Sequence, residues 1–239
     1  MPMLKHVLGK RIYLIRTPHI QAISMLAIKV VLLLQLLCVQ AQLPILTKPA
    51  GFRMNNCSLS ARIQLEAFID PLCRSSKFSH PILKNLSTHY KPDEVCIRIV
   101  PFPLIFHVHT YEVTTALYQV VNALEDSVFV EWLEAIYEVQ DVFLYTNGPN
   151  FTRLQVREKV HEVANKTFPN LANSPWTEES ARLHAKDQLI LDWRYSCSQG
   201  AYGTGLFTLN GVLLEAEKGY WEFEDWHPFL HGLLHPVSN

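Results

Sequence analysis

The first periodic stretch of the chain, RIQLEAFID at 62–70, alternates apolar and polar residues. Successive side chains of a strand point to opposite faces of a sheet, so this alternation predicts a β-strand. The next apolar residues, Phe78, Ile82 and Leu86, fall four apart, which predicts a helix from about Arg74 to Tyr90. A short β-branched run, VCIRIV at 95–100, predicts a second strand. Together these elements indicate a βαβ unit, whose two strands are parallel.

The pattern changes twice more along the chain. Apolar stripes at helical spacing predict three helices between about 113 and 163. Ser174-Pro175 is typical of the cap and first turn of a fourth helix, ending near Tyr195. In LFTLNGVLL, two apolar runs are joined by Asn210-Gly211, a dipeptide typical of two-residue β-hairpins. The aromatic and acidic segment that follows predicts a last helix.

This order of elements predicts an α/β fold of the thioredoxin-like type. A βαβ half and a ββα half share one sheet in that fold, and helices inserted between the halves are the layout of its DsbA-like branch. We expect an irregular N-terminal lead-in at 42–60 and the first half at 61–106. The helical insertion then covers 107–198, and the second half covers 199–239.

The first 41 residues have the pattern of a secretory signal peptide. Basic residues precede the apolar run Val30 to Val39, which is too short to span a bilayer, and Val39-Gln40-Ala41 offers a cleavage site. Met25 would give a more compact signal than Met1, and an uncleaved membrane anchor is the alternative. We therefore expect a secreted or secretory-pathway protein that meets a membrane only through this segment. Four glycosylation sequons agree with export, at Asn56, Asn85, Asn150 and Asn165.

The predicted cleavage after Ala41 removes Cys38 and leaves four cysteines, Cys57, Cys73, Cys96 and Cys197. Disulfides persist in the secretory pathway. Cys57 precedes the first predicted strand and Cys96 lies just inside the second. Parallel neighbours begin at the same edge of a sheet, so a Cys57–Cys96 disulfide is our first hypothesis. Cys197, near the end of the fourth predicted helix, is either a structural free thiol or a partner for Cys73.

Three motifs carry a resemblance at residue level: FIDPLCRSS at 68–76, PFPLIFH at 101–107 and YGTGLFTLNG at 202–211. Together they resemble a group of secreted thioredoxin-superfamily proteins, best represented in plants, that have a Cys-x-x-Ser site. The similarity covers about residues 62–215. It implies that Cys73 is the candidate catalytic thiol and Ser76 its partner. It also implies that Thr204-Gly205 form the loop facing the thiol, with Asp70 and His107 near the cleft.

The chain departs from dithiol oxidoreductases at two positions. Ser76 stands where a resolving cysteine would release the substrate from a mixed disulfide, so release would need an outside thiol or a distant cysteine. Gly205 stands at the position of the superfamily's cis-proline. A cis bond before a residue other than proline costs about 2.5–4 kcal/mol, so we expect a trans Thr204–Gly205 bond and a reshaped loop.

Two interpretations of Cys73 stay open. The helix N-terminus and the positive charges of Arg74 and Lys77 favour the thiolate, whereas Asp70 opposes it if its carboxylate faces the sulfur. A single-thiol protein would exchange disulfides with the thiols of client proteins or hold those clients as mixed disulfides, with Ser76 helping to stabilise the thiolate. The alternative is a non-catalytic binding protein with a degenerate site, whose cleft holds a peptide or a small ligand.

Other chemistries receive less support. His227, His231 and His235 recur every four residues, as metal ligands can, but Pro228 interrupts them and a surface helix explains them better. His107 and His109 form a further pair, and His107 either caps structure or lines the cleft. We expect no metal and no cofactor. The formal net charge of −1 supplies no basic field for nucleic acid.

Overall fold

The computed structural model describes residues 28–30, 48–144 and 150–236. The chain divides into two units, Met1–Ile45 and Leu46–Asn239. Of the first unit only residues 28–30 are described, and they are helical. The rest of the predicted signal peptide, with its cleavage site, lies outside the described residues. Within the described ranges, no helix is both long and apolar enough to cross a bilayer.

The second unit contains a five-stranded sheet. Its strands are β1 (Phe52–Arg53), β2 (Ile63–Ile69), β3 (Val95–Pro101), β4 (Leu206–Leu209) and β5 (Val212–Leu213). They lie in the order β1-β3-β2-β4-β5. The central strands β2 and β3 are parallel, with Ile63 opposite Val95, and the other neighbours are antiparallel. The predicted parallel pair and the predicted hairpin are therefore confirmed. Asn210 and Gly211 both have positive φ, 48° and 80°, as a two-residue turn of this kind requires.

Seven helices are described in this unit. They are α1 (Arg74–His89), α2 (Thr110–Ala123), α3 (Phe129–Glu138), α4 (Gln140–Phe143), α5 (Arg153–Thr167), α6 (Glu179–Ser198) and α7 (Phe223–Leu234). Helix α1 connects the two parallel strands, and α7 packs against it. The insertion between β3 and β4 supplies α2 to α6, of which α6 packs on both α2 and β3. Short 3-10 helices lie at Asp126–Val128, Pro169–Asn173 and Ala216–Tyr220.

Two local predictions differ from the structure. The lead-in predicted as irregular contains β1, where Phe52 pairs with Ile99 of β3. Gly51 makes this approach feasible, because a Cβ there would lie 2.3 Å from the carbonyl oxygen of Ile99. The fourth predicted helix begins later than Ser174-Pro175, at Glu179. Ser174 instead ends the preceding 3-10 helix, because its N–H bonds back to the carbonyl of Leu171.

The sheet face beneath α6 carries a buried polar network centred on Glu66. Its carboxylate accepts hydrogen bonds from the hydroxyls of Tyr195, at 2.6 Å, and Thr208, at 2.5 Å, and pairs with Arg98. Burial, followed by this carboxylate, raises the pKa of Tyr195 to about 12. The Glu66 charge is thus compensated by donors from neighbouring strands and from the insertion, which ties α6 to the sheet.

The predicted disulfide is present. Cys57 and Cys96 are bonded, with their Cα atoms 4.9 Å apart, and both are buried. The bond fixes the segment between β1 and β2 against the start of β3.

Candidate functional site

Cys73 lies where β2 turns into α1. It is the N-cap residue of the helix, with extended backbone angles, and its carbonyl accepts the first helical hydrogen bond, from the N–H of Lys77 at 3.0 Å. Its side chain makes no capping bond. The N–H groups of the first turn have no helical carbonyl to bond, and they make the surroundings of the sulfur favourable to negative charge.

A groove opens at this thiol. Its volume is about 560 Å³, and Cys73 is free and partly exposed within it. Phe106 and Val108, in the loop after β3, line the groove while staying 68 % and 66 % exposed. The thiol is therefore reachable from solvent and has apolar side chains beside it. The other lining residues are Leu72, Arg74, Ser75, His107, Phe143 and Leu144.

Ser76 does not line the groove. It is fully buried, and its hydroxyl accepts a hydrogen bond from the backbone N–H of Asp70 at 3.1 Å. Between Cys73 and Ser76, both in the described range, no side-chain hydrogen bond is found. The expectation that Ser76 stabilises a Cys73 thiolate stays a prediction. What the serine does in the structure is fix the turn between β2 and α1.

The Thr204-Gly205 loop packs against the turn formed by Cys73 to Ser76, the CRSS turn. A Cβ on Gly205 would lie 3.5 Å from the Cβ of Ser75, and the Gly205 N–H bonds to the carbonyl of Phe68 at 3.3 Å. No cis peptide bond occurs in the described residues, so the predicted trans Thr204–Gly205 bond is confirmed. Gly205 has φ +75°, and Gly219 packs so closely that a Cβ on it would lie 2.4 Å from the Gly205 carbonyl oxygen. A pair of glycines shapes this loop.

Asp70 anchors the turn from the other side. Its carboxylate is fully buried and accepts four hydrogen bonds. The N–H of Leu72 and the hydroxyl of Thr110 donate to Oδ1, at 2.7 and 2.5 Å. The N–H of Leu104 and Nδ1 of His107 meet Oδ2, at 2.8 and 2.9 Å. Both oxygens are thus directed to the neighbouring backbone and to the loop after β3, which brings His107 to the groove.

Sequence reasoning missed the residues that hold this turn from the insertion. Gln140, on α4, donates to the carbonyls of Pro71, at 3.0 Å, and Cys73, at 3.2 Å. The Lys77 amine donates to the carbonyl of Tyr137. Burial, then the negative charges of Asp70 and Cys73, raises the pKa of the Tyr137 hydroxyl well above its ordinary value. Nothing in the sequence singles out a glutamine in a helical segment, so no sequence signal marked Gln140.

The remaining candidates do not line the groove at Cys73. Cys197 is exposed near the end of α6, and partial burial raises the pKa of its thiol. His109 is buried at the start of α2, so the two neighbouring histidines do not share a site. Within the described ranges, no group of three or more metal-ligating side chains is found. All four sequon asparagines are exposed, at Asn56, Asn85, Asn150 and Asn165.

Comparisons with known proteins find similarity at the level of structure. No family model matches the chain, and no curated protein matches its sequence. A candidate protein-disulfide isomerase of Pseudomonas syringae is 13 % identical, with TM-score 0.60, over 72 % of this chain and 94 % of that one. The catalytic domain of Proteus mirabilis ScsC is 16 % identical, with TM-score 0.54, over 79 % and 91 %. Wolbachia pipientis α-DsbA1 is 15 % identical, with TM-score 0.54, over 80 % and 94 %.

These solved structures match the α/β arrangement described above, a five-stranded sheet with many helices. At such low identity the similarity establishes the fold and no more. The chain has the thioredoxin-like α/β fold in its DsbA-like form.

Proposed function

We propose that this protein exchanges thiols and disulfides through Cys73 alone, forming mixed disulfides with client proteins in the secretory pathway. The observation that carries the proposal is a free, partly exposed thiol at the N-terminus of α1, open to a groove of about 560 Å³. Thiolates attack disulfides, and a helix N-terminus favours the thiolate. The similarity of fold to thiol-disulfide proteins supports the same chemistry.

The serine at position 76 determines how the exchange ends. A mixed disulfide at Cys73 has no thiol three residues further on, because Ser76 stands at the position of a resolving cysteine. Release requires a thiol of the client, which gives isomerisation, or an external thiol such as glutathione. The protein therefore holds clients longer than a dithiol enzyme does.

The groove supports a polypeptide client. Phe106 and Val108 expose apolar surface beside the thiol. An apolar residue near the reacting cysteine of an incompletely folded client would be buried there, and burial contributes about 25 cal/mol per Å².

A second candidate function is binding without thiol chemistry. An apolar groove of about 290 Å³ shares His107 and Val108 with the groove at Cys73, and Ile105, Leu189 and Trp193 are among its other lining residues. Cys73 is absent from its lining. A peptide or small ligand held there would make the thiol incidental.

The experiment starts from secreted, deglycosylated protein, which is alkylated without reduction and mapped by mass spectrometry. Rapid alkylation of Cys73, or glutathione or a client peptide attached to it, supports the exchange proposal. A Cys73→Ser variant must then lose client capture, while the matched Cys197→Ser variant keeps it. If capture survives Cys73→Ser, the binding function is favoured; a stable disulfide at Cys73 contradicts the exchange.

A further inference from the structure

His107 is held at one ring nitrogen and available at the other. Nδ1 lies 2.9 Å from the buried Oδ2 of Asp70, which also accepts the N–H of Leu104. An ionised carboxylate only accepts hydrogen bonds, so Nδ1 carries a proton, and in the neutral ring Nε2 keeps its lone pair. The side chain is 19 % exposed and lines the groove. Asp70 therefore fixes a histidine tautomer that presents a proton acceptor.

The groove brings this histidine to the same space as the thiol. Cys73 enters from the start of α1, and His107 enters from the loop between β3 and α2. No direct hydrogen bond joins the two side chains, which both lie in the described range. In the proposed reaction a water molecule or a sulfur atom of the substrate bridges them, because catalytic hydrogen bonds often tighten only when substrate binds.

We propose that Cys73, His107 and Asp70 form a proton-transfer set, with His107 as general base and acid and Asp70 as its positioning residue. The inference rests on the proposed exchange function and deepens it. His107 Nε2 takes the proton of the Cys73 thiol, directly or through one water. The thiolate forms a bond to one sulfur of a client disulfide as the client's S–S bond breaks. The electron pair leaves on the second client sulfur, which takes the proton back from His107. One disulfide replaces another, so no external oxidant or reductant is required.

The charged groups beside the CRSS turn come from two elements, Arg74 and Lys77 from α1 and Asp141 from α4. Arg74 on α1 pairs with Asp141 of α4 at 3.9 Å, and both are exposed. The Lys77 amine is bound to the carbonyl of Tyr137 on α3. Histidine is the side-chain type that changes charge between pH 5 and 8 at its unperturbed value. A step in the reactivity of Cys73 that disappears when His107 is replaced is therefore assigned to His107.

Two substitutions distinguish the roles of the two ring nitrogens of His107. In His107→Asn the side-chain amide can still donate to Asp70 but nothing replaces Nε2, so the turn is kept and the base removed. In His107→Gln the longer amide reaches toward the groove without supplying a base. His184→Gln is the matched control, because His184 is exposed on α6 and does not line the groove.

The test measures the rate at which Cys73 forms a mixed disulfide with a small disulfide-bonded peptide, from pH 5 to pH 9, on a Cys197→Ser background. We expect both His107 variants to lose about 10²-fold in rate at pH 7, the lower end of general-base contributions. Their rates should approach the parent's as the pH rises to 9, because hydroxide then replaces the histidine as proton acceptor. Any step that the parent shows between pH 5 and 8 should vanish. His184→Gln should match the parent throughout.

The possible failures are distinct. If the parent forms the mixed disulfide and folded His107→Asn and His107→Gln keep its rate and its pH profile, the proton-transfer set is wrong and the exchange function stands. A uniform loss of rate at every pH would assign His107 a structural role and also overturn the inference. If the parent forms no mixed disulfide at Cys73, the exchange function itself is wrong.

Discussion

The most direct test of the site's construction is the replacement of Asp70 by alanine. The substitution removes an acceptor from four donors, two of which are backbone N–H groups of residues that are 1 % and 7 % exposed, Leu72 and Leu104. A buried donor left without a partner costs about 1–3 kcal/mol. His107 and Thr110 lose charge-assisted bonds as well, although the partly exposed His107 can turn to water. We expect a loss of about 4 kcal/mol in the free energy of unfolding, two unsatisfied donors at about 2 kcal/mol each.

Two milder substitutions should give a graded series. In Asp70→Asn, the oxygen at Oδ1 keeps the bonds from Leu72 and Thr110, but the amide at the other position meets the N–H of Leu104, another donor. We expect a cost of about 2–3 kcal/mol, one unsatisfied donor plus a lost charge. Thr110→Val removes a single bond to a charged group, for about 1.5–2 kcal/mol.

Urea unfolding under non-reducing conditions measures the series, with equal m-values as the check that only stability has changed. At about 2–4 °C per kcal/mol for a domain of this size, Asp70→Ala should also lower the melting temperature by about 8–16 °C. A cost below about 1 kcal/mol for Asp70→Ala, or an equal cost for alanine and asparagine, would refute the reasoning. Either result would mean that the loop after β3 relaxes and that water replaces the carboxylate.

Three further predictions concern the scaffold. Replacing both Cys57 and Cys96 by alanine removes a disulfide that spans a sequence separation of 39. The free energy of unfolding measured in urea should fall by about 2–4 kcal/mol. An unchanged unfolding midpoint would contradict this prediction. Gly205→Ala should lower the free energy of unfolding by about 1–2 kcal/mol, because Gly205 has a φ of +75°. Gly219→Ala should lower it more, because a Cβ there would lie 2.4 Å from the Gly205 carbonyl oxygen. Thermal unfolding compares the two variants, and a larger loss for Gly205→Ala would be contrary evidence. Burial lowers the pKa of His80 below 6.5 despite its bond to a carboxylate, so the unfolded chain binds the proton first as the pH falls. The free energy of unfolding should therefore decline as the pH falls below about 6.5. His80→Gln should make that decline less steep, which urea titrations at successive pH values measure. A variant whose stability falls with pH as steeply as the parent's would disprove this.

Sequence reasoning succeeded where local periodicity and topology act alone. The alternation at 62–70, the four-residue spacing after it and Asn210-Gly211 each specify an element without reference to the rest of the chain, and the structure contains all of them. The disulfide followed from topology, because parallel strands that start at one edge bring Cys57 to Cys96. The expectation that the Thr204-Gly205 loop faces the thiol came instead from the resemblance of its motif, since no periodicity marks such a loop. The structure places Gly205 against Ser75, and whether the loop faces Cys73 stays a prediction.

The rest depends on contacts between segments distant in sequence. A strand of two residues, Phe52–Arg53, has no period to detect and exists because β3 offers a free edge. Gln140 reaches the Cys73 turn from 67 residues away, and Thr110 reaches Asp70 from 40. Polar residues of these types are ordinary on helix surfaces, so only the folded structure distinguishes them.

The Ser76→Cys substitution tests whether the turn has the geometry in which a second cysteine can resolve a mixed disulfide at Cys73. The new thiol would stand three residues after Cys73 on α1, the spacing at which a second cysteine resolves a mixed disulfide. Sulfur is a weaker acceptor than a hydroxyl for the Asp70 N–H, so a cost of about 1 kcal/mol in stability is expected.

Mass spectrometry should find that mixed disulfides at Cys73, long-lived in the parent, are released as soon as they form in Ser76→Cys. Ser75→Cys is the matched control, because it places a second thiol in the lining of the same groove but one residue short of that spacing. If release is no faster in Ser76→Cys than in Ser75→Cys, the turn does not have the geometry of a dithiol site. If release is faster only in Ser76→Cys, then the serine at position 76, in place of a cysteine, is what makes the protein hold its client instead of releasing it.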